Sequence, residues 1–207
     1  MTILLVRHGE TEWNRERRNQ GRFDSPLTAR GIAQARAIGR LLRALPEAAF
    51  AQIVASPQGR AQDTARIIRE ELAGVGATVP SCSDDRLREL TLGAWDGLTY
   101  RQIEALSPGI FDGDRRHEWW FHAPGGESYG DFAARLGEWL AEQDEEASVI
   151  AVAHGLVSRV LRGLYGGLER AAALRLPVPQ DRVYRLSAGS VEPLGRALPE
   201  KPQPHTR

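Results

Sequence analysis

The chain reads as an α/β protein built on a largely parallel sheet, and three observations predict this. Short apolar runs at 3–6, 51–55 and 149–153 suit strands buried on both faces. Each run is followed, after a polar break, by a segment of helical period. Each also meets a chemically active side chain as it turns polar: Arg7 and His8 after the first, Arg60 just beyond the second, His154 after the third. In open α/β sheets the carboxyl edge is where ligands bind, because the loops leaving the strands diverge there.

The elements follow in order. After the first strand, Gly9 permits close approach of the backbone to a ligand. Residues 10–23, crowded with arginine and asparagine, read as a long loop carrying Asn14, Gln20 and Gly21, and long loops in compact domains are often functional. Thr28 caps a helix whose apolar face is Ile32, Ala35, Ile38, Leu42 and Leu45, and Pro46 ends it. Ser56-Pro57-Gln58-Gly59 breaks the second strand before a helix beginning near Arg60, striped with Ala61, Thr64, Ala65, Ile68 and Leu72. A turn is expected at 74–76, a short strand at 78–83, and Glu89 precedes a glycine-punctuated segment at 93–97. A helix is expected over 99–106. Residues 107–127 keep no steady period but concentrate Trp119, Trp120, Phe121 and His122, which either pack onto the core or form a substrate lid. A helix over 128–143 carries Phe132, Leu136, Trp139 and Leu140 on one face. After the third strand, His154-Gly155 repeats the exit seen at His8-Gly9 and leads into a helix over 156–165, whose first amides offer anion-binding dipoles. Residues 183–187 and 191–194, joined through Ala188-Gly189, form a final strand or hairpin. One domain over residues 1–194 is expected, with 98–127 as an aromatic lid or insertion and 195–207 as a loose, proline-rich tail.

Composition narrows the function. Lysine plus arginine equals aspartate plus glutamate at 27 each, so no basic field for nucleic acid exists and any anion site must be local. The cations are arginines except Lys201, which makes forked recognition of phosphate or carboxylate available. The single cysteine, Cys82, excludes an intrachain disulfide and a cysteine zinc cluster, as fits a reducing cytoplasm. No apolar run is long enough to span a bilayer, and Arg7 and His8 interrupt the first one before it resembles a signal peptide. His117 and His122 are not at a helical ligand spacing, so no metal site is expected.

Two arginines can hold a phosphoryl group through charge-assisted forks, and a neutral imidazole can attack its phosphorus. The ordered set Arg7-His8-Gly9-Glu10-Thr11, Trp13-Asn14, Gln20-Gly21, Asp24-Ser25-Pro26-Leu27-Thr28, Ser56-Pro57 with Arg60-Ala61, Arg88-Glu89-Leu90, Gly125-Gly126-Glu127-Ser128 and Ala153-His154-Gly155 resembles the histidine phosphatase, or phosphoglycerate-mutase-like, superfamily. The resemblance implies a three-layer α/β/α sandwich, a phosphohistidine on His8, and no metal or other cofactor. It makes Arg7, Arg60 and His154 the phosphate clamp, with Asn14, Gln20, Gly21 and Gly155 as further phosphate contacts and Glu89 as proton donor. A carboxyl in that role protonates the departing alkoxide and then deprotonates the attacking water.

Within the superfamily the pattern looks closest to the cofactor-independent, broad-specificity phosphatases, because 98–127 is compact and aromatic. A 2,3-bisphosphoglycerate-dependent phosphoglycerate mutase is the alternative, and a catalytically silent phospholigand-binding module is a third. Arg22, Arg115, Arg116, Trp119, Trp120 and Phe121 are the candidates for substrate specificity, with Arg22 expected to favour a second anionic group on the substrate. The expected partner is a small phosphorylated molecule, with no nucleic acid or membrane, and a homodimer is allowed.

Overall fold

The computed structural model describes residues 1–73 and 79–195. The turn expected at 74–76, the first residue of the strand expected from 78, and the tail over 196–207 lie outside the described residues.

In chain order the elements are β1 (Thr2–Arg7), α1 (Glu12–Arg15), α2 (Ala29–Arg43), β2 (Gln52–Ala55), α3 (Gly59–Ala73), β3 (Ser81–Ser83), α4 (Tyr100–Leu106), α5 (Tyr129–Ala141), β4 (Ser148–Ala153), α6 (Gly155–Tyr165), α7 (Arg170–Leu174), β5 (Val183–Ser187) and β6 (Ser190–Leu194). The strands make one sheet ordered β3-β2-β4-β1-β5-β6. The pairs β1 with β4, β4 with β2, and β2 with β3 are parallel, whereas β5 runs antiparallel to β1 and to β6. The sheet is therefore mostly parallel, with an antiparallel hairpin at one edge. That hairpin turns through Ala188 and Gly189, both at positive φ (47° and 74°), the conformation whose twist matches the flanking strands.

Alternation along the strands creates the sandwich. Leu4 and Val6 of β1 join Ile53, Ile150 and Val152 beneath Ile38 and Leu42 of α2 and Ile68 and Leu72 of α3. Ile3 and Leu5 point the other way, with Val149 and Ala151, into Phe132, Leu136 and Trp139 of α5 and Val157 and Leu161 of α6. Side chains of period two thus supply both faces of the central sheet, and the sheet lies between two helical layers.

Local sequence explains most boundaries. Thr28, Thr99 and Ser128 cap α2, α4 and α5 by accepting amide hydrogens with their hydroxyls. The expected loop over 10–23 is corrected in part: Thr11 and Asn14 form a reciprocal capping box around the single turn of α1. Ile32 is exposed rather than on the apolar face of α2, and Leu45 follows the end of that helix. Gly9 also has a different role from the one expected. A Cβ on Gly9 would lie 2.4 Å from the Gly31 carbonyl oxygen, and one on Gly31 would lie 2.1 Å from that of Glu10. The two glycines let the start of α2 press against the loop leaving β1. The segment over 107–127 forms 3-10 turns at Gly113–His117 and Trp119–His122, and Trp119 is buried against Trp95, Tyr100 and Phe111.

Candidate active site

The carboxyl ends of β1, β2 and β4 open into a cleft of about 440 Å³ lined by, among others, Arg7, His8, Asn14, Gln20, Gly21, Arg60, Glu89 and Gly155. His8 stands one residue past β1, its amide donating to the Ala153 carbonyl at 2.9 Å and so extending the β1–β4 ladder. Its ring Nδ1 lies 2.8 Å from the Gly9 carbonyl oxygen. A carbonyl only accepts, so Nδ1 carries the hydrogen and Nε2 keeps its lone pair. Burial, and then the charges of Arg60 and Arg7, hold the His8 pKa well below the ordinary histidine value. The ring is therefore neutral at neutral pH, with the Nε2 lone pair free.

Arg60 is almost wholly buried at the start of α3. It donates from Nη1 to the Phe23 carbonyl (2.7 Å) and to Asp24 (3.1 Å), and from Nη2 to the Gly21 carbonyl (3.0 Å). Gly21 takes a positive φ of 49° to present that oxygen, which also accepts from Gln58. Arg7 donates to the Val178 carbonyl. The Nε atoms of Arg7 and Arg60 are buried without a hydrogen-bond partner among the described residues, two donors suited to an anion.

His154 does not line the cleft; it is fully buried, its ring centroid 5.2 Å from that of His8. Its Nε2 is 2.8 Å from Ser56 Oγ, and burial first, then Arg60, His8 and Arg7, hold its pKa well down. Ser56 Oγ accepts from the Gln58 amide and keeps a second lone pair, so it can either donate its proton to His154 Nε2 or accept one from it. When it donates, Nδ1, buried and unpartnered among the described residues, carries the ring's hydrogen beside His8. Asn14 is polarised in the same way: its Oδ1 accepts from the Thr11 amide and from Gln180 Nε2, which leaves its amide NH₂ as a donor.

Glu89 is half-buried in the cleft, and neither Arg86 nor Arg88 pairs with it; these bind Asp84 with Glu142, and Asp85, respectively. Its carboxylate accepts from its neighbour's amide, Leu90, and from the Leu156 amide in the first turn of α6 (3.2 Å). The dipole expected at that helix start for phosphate thus holds, at Leu156, the carboxylate of the chain itself.

The specificity candidates divide. Trp120 lines the cleft. Trp119 is core, Phe121 packs against Tyr129 and Phe132, and Arg22 sits outside the cleft lining with its guanidinium 3.8 Å from Glu127. Arg115 lines a separate groove with His117 and His122, and Arg116 hydrogen bonds His117. Ser56, Gln180 and Arg159 were missed as site residues. Arg159 was detectable, since it follows Gly155 by four residues and so shares its helical face. Gln180 lies in irregular chain where no period gives a signal.

Known proteins match this arrangement. The sequence model of the histidine phosphatase superfamily (branch 1) covers residues 3–194. A probable phosphoglycerate mutase GpmB of Salmonella choleraesuis is 38% identical over 194 residues, covering 84% of this chain and 81% of the relative. Among solved structures, Bacillus stearothermophilus YhfR superposes with a TM-score of 0.77 at 33% identity, covering 92% of this chain and 94% of its own. A mycobacterial glucosyl-3-phosphoglycerate phosphatase gives 0.72 at 34% identity, with 93% and 96% covered. With its family signature running almost end to end over the sandwich described above, the chain belongs to the histidine phosphatase superfamily.

Proposed function

We propose that the chain is a phosphomonoesterase in which His8 is the nucleophile and Glu89 the proton donor. Arg7, Arg60, Asn14 and His154 hold the phosphoryl oxygens, with Gln20, Gly21 and Gly155 framing the pocket. His8 Nε2 attacks phosphorus, the bond to the ester oxygen breaks, and the Glu89 carboxyl protonates that oxygen as it leaves. Glu89, now a carboxylate, takes a proton from water; the hydroxide oxygen bonds to phosphorus, the N–P bond breaks, and phosphate departs. No metal enters any step. The observation that carries this reading is the neutral imidazole with a bare Nε2, buried beside two arginines.

The name of the curated relatives supports a second reading, transfer of the phosphoryl group to another substrate hydroxyl. Against it, Arg115 and Arg116, the residues expected to hold a mutase substrate, lie outside the cleft lining. The two readings part when the protein is incubated with 3-phosphoglycerate, with and without 2,3-bisphosphoglycerate, while inorganic phosphate and 2-phosphoglycerate are followed. Phosphate release without isomerisation, lost in His8→Ala, is expected; rapid isomerisation with little phosphate would establish the mutase. The same reading takes residues 1–194 as one domain and puts the enzyme in the cytoplasm; it allows either a monomer or a homodimer, which the mass in solution distinguishes. Among the described residues no helix is long and apolar enough to cross a membrane.

A further inference from the structure

We propose that Arg159 is the subsite for a second anionic group on the leaving moiety, so that the preferred substrate is a phosphomonoester carrying a carboxylate or another phosphate. This inference rests on the phosphomonoesterase reading above and deepens it.

Arg159 lines the cleft from the second turn of α6. Two contacts fix it: its Nε donates to the Leu176 carbonyl at 2.7 Å, and its guanidinium carbon lies 5.2 Å from the centroid of the Trp120 ring. Trp120 therefore supports an arginine, which gives the one specificity aromatic in the cleft a definite task. No salt bridge neutralises Arg159 among the described residues. Burial, and next the charge of Arg7, push its pKa down to about 10, so it remains a cation while being electrostatically uncomfortable. A half-buried cation with no ion pair among the described residues, and only a weak pull from Glu89, is relieved by an anion that arrives with the ligand.

Charge matching says which anion. Arg7 and Arg60 suit the phosphoryl dianion, and Arg60 already has Asp24. Of the other cleft arginines, Arg15 and Arg18 pair with Glu12 and Glu16 and Arg17 is exposed to solvent, which leaves Arg159 as the half-buried cation without an ion pair among the described residues. Its position places the extra anion on the leaving group: Glu89, the proton donor to that group, is bonded to the Leu156 amide, and Leu156 and Arg159 are neighbours at i,i+3 that both line the cleft.

Two matched pairs test this: 3-phosphoglycerate against glycerol 3-phosphate, and fructose 1,6-bisphosphate against fructose 6-phosphate. The wild-type protein is expected to favour the first member of at least one pair by about tenfold or more in kcat/KM, and the pair that responds identifies carboxylate or phosphate. In Arg159→Met that ratio is expected to fall to near one. In Arg159→Lys, which keeps the charge but loses the fork, an intermediate ratio is expected, and this variant carries the test if the methionine variant does not fold. Absence of a preference in both pairs, or an equal loss on both members of a pair in the variants, would overturn the proposal. Hydrolysis of p-nitrophenyl phosphate, lost in His8→Ala, reports separately on the underlying phosphatase reading.

Discussion

At the scale of single residues, the site is governed by where individual protons sit. The Gly9 carbonyl keeps Nδ1 of His8 protonated, and we propose that Ser56 donates to Nε2 of His154, which puts that ring's hydrogen on Nδ1. Removing the Ser56 hydroxyl leaves His154 Nε2 buried without a partner, a loss of about 1–3 kcal/mol. Ser56→Ala is therefore expected to lower kcat by about tenfold or more, with Ser56→Thr restoring most of it. The ¹⁵N shifts of His154 should show a protonated Nδ1 in the wild type and a mixture of tautomers in Ser56→Ala; an unchanged tautomer would refute the assignment. Glu89 shows the limit of reading residues singly. Between Arg88 and Leu90 it looks like any surface carboxylate, and only the resemblance to a family raised it to an acid. Its setting, on the first turn of a helix that arrives more than sixty residues later, is a tertiary fact no local pattern contains.

At the scale of elements, the sequence announces itself well where period and caps agree. Three of the four parallel strands, β1, β2 and β4, and the helices α2, α3, α5 and α6 follow from apolar spacing, and each boundary predicted from Thr28, Pro46 or Ser128 falls within a few residues of the observed one. The arginines and histidines at the strand ends were legible for the same reason, because a strand's end fixes where its next side chain goes. Elements held by backbone contacts were not legible. The turn of α1 and the close approach of α2 to the loop after β1 depend on space, and the alternation of apolar residues does not record space. Gly31→Ala tests this approach. With a Cβ 2.1 Å from the Glu10 carbonyl oxygen, the backbone must shift, at a cost of about 1–3 kcal/mol. A melting temperature lower by about 2–10 °C is expected for a domain of this size, with lower activity because the same loop carries His8. An unchanged melting temperature would mean that the contact yields freely.

At the scale of the whole molecule, buried imidazoles couple catalysis to stability. His8 and His154 have folded-state pKa values well below the ordinary 6.5, chiefly through burial. The unfolded chain protonates both rings near that ordinary value, so below it the unfolded state binds more protons than the folded state. The stability is fully present above pH 6.5 and declines as the pH falls toward the folded values, by up to about 1.4 kcal/mol per pH unit for each ring. Urea midpoints measured from pH 7.5 down to pH 5 are expected to drop, and to drop less steeply in His8→Ala; parallel curves would contradict the buried neutral state. The same neutral state leaves Nε2 of His8 free to attack phosphorus in the proposed mechanism. The most direct test is to quench turnover of p-nitrophenyl phosphate rapidly in alkali and locate phosphate on the protein by mass spectrometry. An alkali-stable, acid-labile phosphate on His8 is expected, absent in His8→Ala and accumulating in Glu89→Gln, where an easily departing nitrophenolate needs no acid but the water lacks its base. Turnover with no phosphorylated protein in Glu89→Gln, or with phosphate on another residue, would contradict it.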